Sequence, residues 1–592
     1  MKNEPFGRGK FIMIVFLIMA ITIVGRMVVI QNSAAAVTIG EIGEANSYEL
    51  RKILPERGSI YDRWGHMLAG NIEVYEVNVD TRYVRNADTI ASVAASLLDL
   101  DYDKVYFSIT GTEENPPKTT VFLKSYVSAE TISILAERKN QYDEAYKDAS
   151  SPSLRGLIWS PYLIRSYPEK SLASNLLGFY SFRDMEKGRG YFGVEEKYND
   201  LLSGTPQTVL VPRDPYEVEN LPDIPPGASL ILTLDREIQA MAERVADKAM
   251  EETGSASATI LISDPKTGEI LAMANTPRMD LNKYWEAGNI FVDRTPFNRA
   301  IGETYEPGSV FKVLTMASAI DAGVVTPTTP FLDTGVINVG GVNFTNWDGG
   351  AWGPQDMTGC MRHSLNVCLS WVAVQMGPSK FYEYMDRFGI GHRTNVDLGG
   401  EVLWPLSIPG DENWYLPNLA TNSFGQGLAV TPMQMIMAIS AVANDGKMMA
   451  PHVLRAVIDD DRQYNNTPQV VGTPISAETA RQVTEMLATS LEQEASSALV
   501  PGYRVAGKTG TAEIPTPYGY TSDATNASFV GWGPVSDPRF VVYIWLEKPQ
   551  SDIWGSIVAA PVFSEVVQNL VVLMNLPPDD IRQELAVGQA GQ

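Results

Sequence analysis

The sequence predicts an α+β fold, an antiparallel sheet flanked by helices, behind a single N-terminal transmembrane helix. Three observations predict it. Apolar runs of strand length at 258–264, 269–275, 528–535 and 540–547 enclose segments of helical spacing at 309–321 and 361–376. The first two runs surround Pro265-Lys266-Thr267-Gly268, a hairpin signal. One long apolar stretch lies near the N-terminus, and the later apolar runs are short and punctuated.

Taken in order, the stretch from Phe11 to Gly25 is apolar apart from Thr22, Arg26 interrupts it, and Met27 to Ile30 extend it. Lys2, Arg8 and Lys10 precede it. This predicts a signal anchor at 11–30, with 1–10 as a cytoplasmic tail and the later residues outside the cytoplasm. Arg26 sits where it would snorkel to the outer interface. Ala34-Ala35-Ala36 would suit cleavage of a signal peptide, but the length of the apolar stretch favours a retained anchor.

Residues 45–225 mix short β-type runs (75–79 and 119–123) with polar loops and one helix at 128–138. Leu221-Pro222-Asp223-Ile224-Pro225-Pro226-Gly227 punctuates the chain as a domain boundary. A second domain is expected at 228–577. It opens with a strand at 230–234, and Asp235 is placed to cap a helix from Arg236 to about Glu252. Residues 503–507 form an apolar approach to Lys508. The tail at 578–592 is expected to fray.

At 592 residues the chain has room for two to four domains, and 44% hydrophobic content supports a large core. Lys plus Arg number 46 against 70 Asp plus Glu, a net charge of −24. That balance argues against nucleic acid as a partner. The only cysteines, Cys360 and Cys368, fall eight residues apart in the expected helix at 361–376 and its approach. A helix would separate them by about 12 Å along its axis, too far for a disulfide, so free buried thiols are expected. The four histidines are scattered and there is no C-x-x-C, so neither a metal nor a cofactor is expected.

The chemistry lies in three short motifs. Ser309-Val310-Phe311-Lys312 places a hydroxyl and an amine at i and i+3, on one helix face. Pro307-Gly308 put Ser309 in the first turn, where the helix dipole favours an alkoxide and disfavours a second cation. Lys312 is thereby pushed toward its neutral form, a base for the serine. Ser364-Leu365-Asn366 adds a second hydroxyl, able to relay a proton to a leaving amine, and an amide able to hold a peptide backbone. Lys508-Thr509-Gly510-Thr511 follows the apolar approach. On an edge strand, Lys508 would meet a substrate carboxylate and Gly510 would allow close backbone approach. The N–H groups of Thr511 and Ser309 would form an oxyanion hole.

Each motif is common alone. A second K-T-G at 266–268 is turn chemistry. The order and the spacings, 55 residues from Ser309 to Ser364 and 144 from Ser364 to Lys508, make a lysine-activated serine acyltransferase the joint reading. No G-x-S-x-G elbow competes.

With these motifs the chain resembles the class B penicillin-binding proteins, monofunctional peptidoglycan D,D-transpeptidases. Glu306-Pro307-Gly308-Ser309-Val310-Phe311-Lys312 resembles the family's active-serine block. Asp264 to Met273, Phe297-Asn298-Arg299-Ala300, Phe424-Gly425-Gln426-Gly427 with Thr431-Pro432, Lys508 to Ala512 and Phe529-Val530-Gly531-Trp532 resemble others. Arg57 to Arg63, Gly65 and Leu68-Ala69 resemble the pedestal, or dimerisation-type, domain, with Trp64 where Asn is usual. Arg165 to Pro168 and Gly193-Val194-Glu195 with Tyr198 also fit it.

The resemblance implies an elongated mixed pedestal at 45–225 and a penicillin-binding transpeptidase domain at 228–577. It implies attack by Ser309 on a stem peptide, loss of D-Ala, cross-linking by a neighbouring amine, and acylation by β-lactams. It implies a polytopic membrane glycosyltransferase and divisome or elongasome proteins as partners. Glu306 is similar to division-type members, where elongation enzymes often carry a second Pro. Two competing readings stay open. One is a hydrolase, a β-lactamase or D,D-carboxypeptidase, with water as acceptor. The other is a β-lactam-binding scaffold without catalysis.

Overall fold

The computed structural model describes every residue except 1–6, 34–47, 113–114, 149–150, 185–186, 213–223, 293–294, 495, 517–518 and 591–592. The Ala34–Ala36 segment and residues 221–223 of the expected boundary lie outside the described residues. The chain divides into two compact units, 1–56 with 203–227, and 57–202 with 228–592.

The first unit holds the helix Arg8–Gln31 and an antiparallel pair, Tyr48–Ile53 with Gln207–Pro212. Within the helix, Phe11–Gln31 has a mean hydropathy of 2.7 and none of it is buried, as expected of a span surrounded by lipid. A second stretch, Gly555–Leu573, reaches 1.7, but more than half of it is buried, and Val566, Val567 and Leu570 pack in a core.

In the second unit the catalytic framework is a five-stranded antiparallel sheet. Its order is Ile270–Asn275, Ser257–Ser263, Phe540–Glu547, Gly519–Gly533, Ala506–Thr516. The first two strands form the expected hairpin, with Thr259 opposite Asn275. Strand 257–263 is buried throughout because both faces of the sheet are covered. Ile260 and Ile262 pack with Ile238 and Val566, from the helices Arg236–Thr253 and Ala560–Leu573, while Leu261 enters the opposite core with Met433 of Pro432–Ala443. Asp235 caps the helix as expected, its carboxylate accepting from Glu237 N and Ile238 N. Ala506–Thr516 is left at the edge of the sheet.

A second sheet, of seven strands, draws on both sides of the 221–227 punctuation. Ile60–Tyr61 runs parallel to Ser229–Leu232, which on its other side pairs with Leu454–Asp459. The expected run at 75–79 falls within Met67–Asp80, that at 119–123 overlaps Thr120–Ser128, and the helix expected at 128–138 is Ala129–Ala145. Arg57 and Arg165 grip the fully buried Glu195, Nε to carboxylate oxygen at 2.9 and 2.8 Å. Burial alone would raise the Glu195 pKa; the two guanidiniums outweigh it and hold the carboxyl below its usual value.

Three expectations fail. The helix expected at 361–376 is two, Met357–Arg362 and Asn366–Met376, because the chain turns at Ser364 with φ +54°. The turn brings Leu365 N onto Cys360 O and folds Cys368 back beside Cys360. The two cysteines are therefore a disulfide with a Cα–Cα distance of 6.1 Å, not free thiols. The loop it closes is short, so Cys360→Ser with Cys368→Ser is expected to cost roughly 2–3 kcal/mol. Urea unfolding of the double variant, with and without reductant, checks this; only the wild type should respond to reductant. The tail expected to fray instead forms a helix, Asp579–Ala590, whose Asp579 accepts a hydrogen bond from Arg504 N at 2.6 Å.

Candidate active site

Ser309 lies in the 3-10 turn Gly308–Phe311 that feeds the helix Lys312–Asp321. Gly308 adopts φ +57°, and its N–H donates to Gly425 O at 2.9 Å. A Cβ on Gly308 would stand 2.8 Å from Thr511 O, and one on Gly510 would stand 3.0 Å from Pro307 O. The two glycines thus let the serine turn press against the edge strand at 510–512. Ser309 is half-buried, and its hydroxyl makes no hydrogen bond among the described residues.

Lys312 is fully buried. Its Nζ reaches Ser364 O at 2.7 Å, Asn366 Oδ1 at 2.8 Å and Ser364 Oγ at 3.2 Å. The left-handed turn at Ser364 aims both its carbonyl and its hydroxyl at the amine, a conformation a non-glycine residue holds only under surrounding constraint. Burial first, and then the nearby Lys508 charge, hold the Lys312 pKa well below the usual lysine range.

Lys508 is 5% exposed, and among the described residues its Nζ hydrogen-bonds to its neighbour, Thr509 O and Oγ1 at 3.3 Å. Burial pushes it down to about 8, against the upward pull of the Glu494 carboxylate. The Thr511 hydroxyl accepts from Gly555 N at 3.0 Å and so anchors the helix Gly555–Val558. The sequence-derived residues Ser309, Lys312, Ser364, Asn366 and Lys508 with Thr509, Gly510 and Thr511 thus meet where the helix 312–321, the 363–366 turn and the edge strand converge.

Sequence reasoning missed several neighbours. Glu494 supplies the carboxylate facing Lys508, from a helix end that no motif marks. Trp347 stacks edge-on with Trp554 at 5.2 Å, and its indole N–H donates to His363 O beside Ser364. Glu306, legible in the serine motif but without a role there, accepts from Tyr520 OH at 2.8 Å and Gly427 N at 3.1 Å. Burial pushes its pKa up to about 6.

The penicillin binding protein transpeptidase domain matches residues 258–568, and the penicillin-binding protein dimerisation domain matches 52–219. Stage V sporulation protein D of Bacillus subtilis is 31% identical over 88% of this chain and 79% of its own length. The peptidoglycan D,D-transpeptidase FtsI of Escherichia coli is 27% identical over 94% of this chain and 90% of its own length. Penicillin binding protein 3 of Mycobacterium tuberculosis, solved with aztreonam, superposes with a TM-score of 0.67 at 25% identity, covering 89% of this chain and 98% of that one. The fold is shared with penicillin binding protein 2X of Streptococcus thermophilus, at TM-score 0.75 and 24% identity over 88% and 80% of the two chains. A relative above 30% identity across most of both lengths, and a transpeptidase domain covering more than half the chain, place this protein among the class B penicillin-binding proteins.

Proposed function

We propose that the protein is a peptidoglycan D,D-transpeptidase in which Ser309 is the nucleophile and Lys312 its base. The observation that carries this reading is Lys312: fully buried, depressed in pKa, one turn after Ser309 and hydrogen-bonded among the described residues to the 364–366 turn. A neutral amine has two hydrogens and one lone pair. Ser364 O and Asn366 Oδ1, the two shorter contacts, take the hydrogens. The lone pair is left to accept a hydroxyl proton, from Ser364 in the resting state and from Ser309 on attack.

The Ser309 oxygen bonds to the carbonyl carbon of the penultimate D-Ala. The N–H groups of Ser309 and Thr511 receive the developing oxyanion, while Lys508 and Thr509 hold the terminal carboxylate and Gly510 admits the peptide backbone. Collapse breaks the C–N bond, and the proton held by Lys312 passes through Ser364 to the leaving D-Ala amine. An amine from a neighbouring stem then repeats the steps in reverse and frees Ser309. A β-lactam enters as the donor and stays bound.

The N-terminal helix would hold the protein in the cell membrane as a single pass, with the N-terminus cytoplasmic and the catalytic unit outside. The positive charges preceding the apolar stretch support that orientation. A polytopic membrane glycosyltransferase and divisome proteins would be its partners, and Glu306 favours division over elongation.

Intact mass after incubation with a penicillin tests the reading. A stable adduct supports a transpeptidase, an adduct lost within seconds supports a β-lactamase, and no adduct removes Ser309 as a nucleophile and leaves a scaffold without acylation. The rate of adduct formation is also expected to be bell-shaped in pH. Protonation of Lys312 removes the base on the acid side. Loss of the Lys508 proton above about 8 removes the cation facing the carboxylate. Lys508→Arg, charged throughout, should flatten the alkaline limb; an unchanged limb would exclude Lys508 as its source.

A further inference from the structure

His363 ends the helix Met357–Arg362 and directly precedes Ser364. Its half-buried ring stacks on Trp352 at 4.2 Å, and its carbonyl accepts from the Trp347 indole N–H at 3.1 Å. Arg362 Nε–H donates to His363 Nε2 at 3.1 Å. A guanidinium can only donate, so Nε2 offers its lone pair and the ring hydrogen sits on Nδ1. Burial, and then the Arg362 charge, hold the His363 pKa below its usual value, so the ring is neutral at neutral pH.

Nδ1 faces Glu494 Oε1 at 3.8 Å, an electrostatic contact longer than a hydrogen bond. One residue earlier on each segment, Arg362 Nη1 donates to Gln493 Oε1. The helix Met357–Arg362 thus grips the end of Ala477–Gln493 through two successive pairs. The Glu494 side chain is 42% exposed, and among the described residues no hydrogen bond fixes it. Burial raises its pKa, and the Lys508 and Arg362 charges oppose that rise. Four other charged groups surround the pair. They are Arg362 on the same helix, Lys508 on the edge strand, Lys312 behind the Ser364 turn, and Asp348, which accepts from the Trp352 indole N–H at 3.1 Å.

We propose that His363 is a positioning residue for acylation, whose Nδ1–H steers the Glu494 carboxylate toward Lys508 and so ties the Ser364 turn to the cation that meets the substrate carboxylate. The hydroxyl that relays the proton and the charge that anchors the donor are then set by one segment, 362–364. A neutral ring does this without adding a third cation beside Lys312 and Lys508. The ring itself touches no reacting atom. This role deepens the transpeptidase reading and rests on it, because only there does Lys508 have a carboxylate to meet.

The test is the pH profile of adduct formation with a fluorescent penicillin, read at its alkaline limb, for the full chain in detergent. Glu494→Gln removes the charge that favours the Lys508 cation, so Lys508 loses its proton sooner and the limb should move to lower pH by about half a unit. His363→Phe keeps a ring against Trp352 but loses both nitrogens. Its limb should move the same way, and the double variant should move no further than Glu494→Gln alone. His363→Asn, whose amide N–H stands where Nδ1–H stood, should restore the wild-type limb. A wild-type limb in Glu494→Gln or in His363→Phe overturns the proposal, and so does a double variant whose shift is the sum of the two. A role in folding alone would lower thermal stability and leave the limb in place. Nitrogen NMR of the histidine rings supplies a readout that needs no adduct. His363, assigned by its loss in His363→Phe, is expected with Nδ1 protonated and Nε2 bare; the opposite tautomer overturns the steering contact. An adduct whose limb ignores these variants overturns this role and leaves the transpeptidase standing. No adduct on wild type overturns the transpeptidase and this role with it.

Discussion

Ser309→Ala loses covalent labelling by penicillin to below detection, a fall on the order of 10⁴-fold or more, while the protein stays folded. The two halves of this expectation have separate causes. The covalent route needs the oxygen itself, and neither Ser364 Oγ, engaged by Lys312, nor Thr511 Oγ1, engaged by Gly555 N, is free to replace it. The fold needs little from it, because the Ser309 hydroxyl is half-buried and has no hydrogen bond to lose. Its removal is expected to change stability by about 0.5 kcal/mol or less. Intact mass and thermal unfolding of the same preparation check both halves. An adduct persisting on the alanine variant would move the nucleophile elsewhere.

Lys312→Met slows acylation by about 10²- to 10⁴-fold, the usual contribution of a positioned general base. Methionine nearly fills the volume of the buried stem, so packing survives better than in Lys312→Ala. Both variants orphan Ser364 O and Asn366 Oδ1, which accept from the amine. Each buried acceptor left unpaired costs roughly 1–3 kcal/mol, so both variants should also be less stable and their 364–366 turn looser. Stopped-flow acylation with a fluorescent penicillin separates the effects. The rate of adduct formation should collapse while the initial non-covalent affinity changes far less. Acylation within tenfold of wild type in Lys312→Met would remove Lys312 as the base.

Much of this was legible in the sequence because the features are local. The hairpin around Pro265–Gly268, the cap at Asp235 and the spacing of Ser309 and Lys312 are decided within a few residues, where turn chemistry and helical period speak directly. The break at Ser364 was not legible. Met361 to Met376 keeps an apolar pattern through the turn, and no Gly or Pro stands at the left-handed position. Reading through that turn also cost the Cys360–Cys368 disulfide, since the distance argument assumed an unbroken helix. Glu494 and Trp554 reach the site only through tertiary packing, and short-range pattern carries no trace of that.

The sheet that joins Ile60–Tyr61 to Ser229–Leu232 bears on how the protein can be cut. A fragment beginning at 228 would keep the acylation machinery entire. It would also strip one neighbour from a strand now paired on both sides, since Leu454–Asp459 holds only the other. An interior strand would become an open edge with Leu230 and Leu232, both fully buried in the intact chain, freshly uncovered. Bare edges of that kind recruit other chains, so the fragment is a template for aggregation rather than a minimal enzyme. The N-terminal region is, in this sense, an internal chaperone that the enzyme never releases.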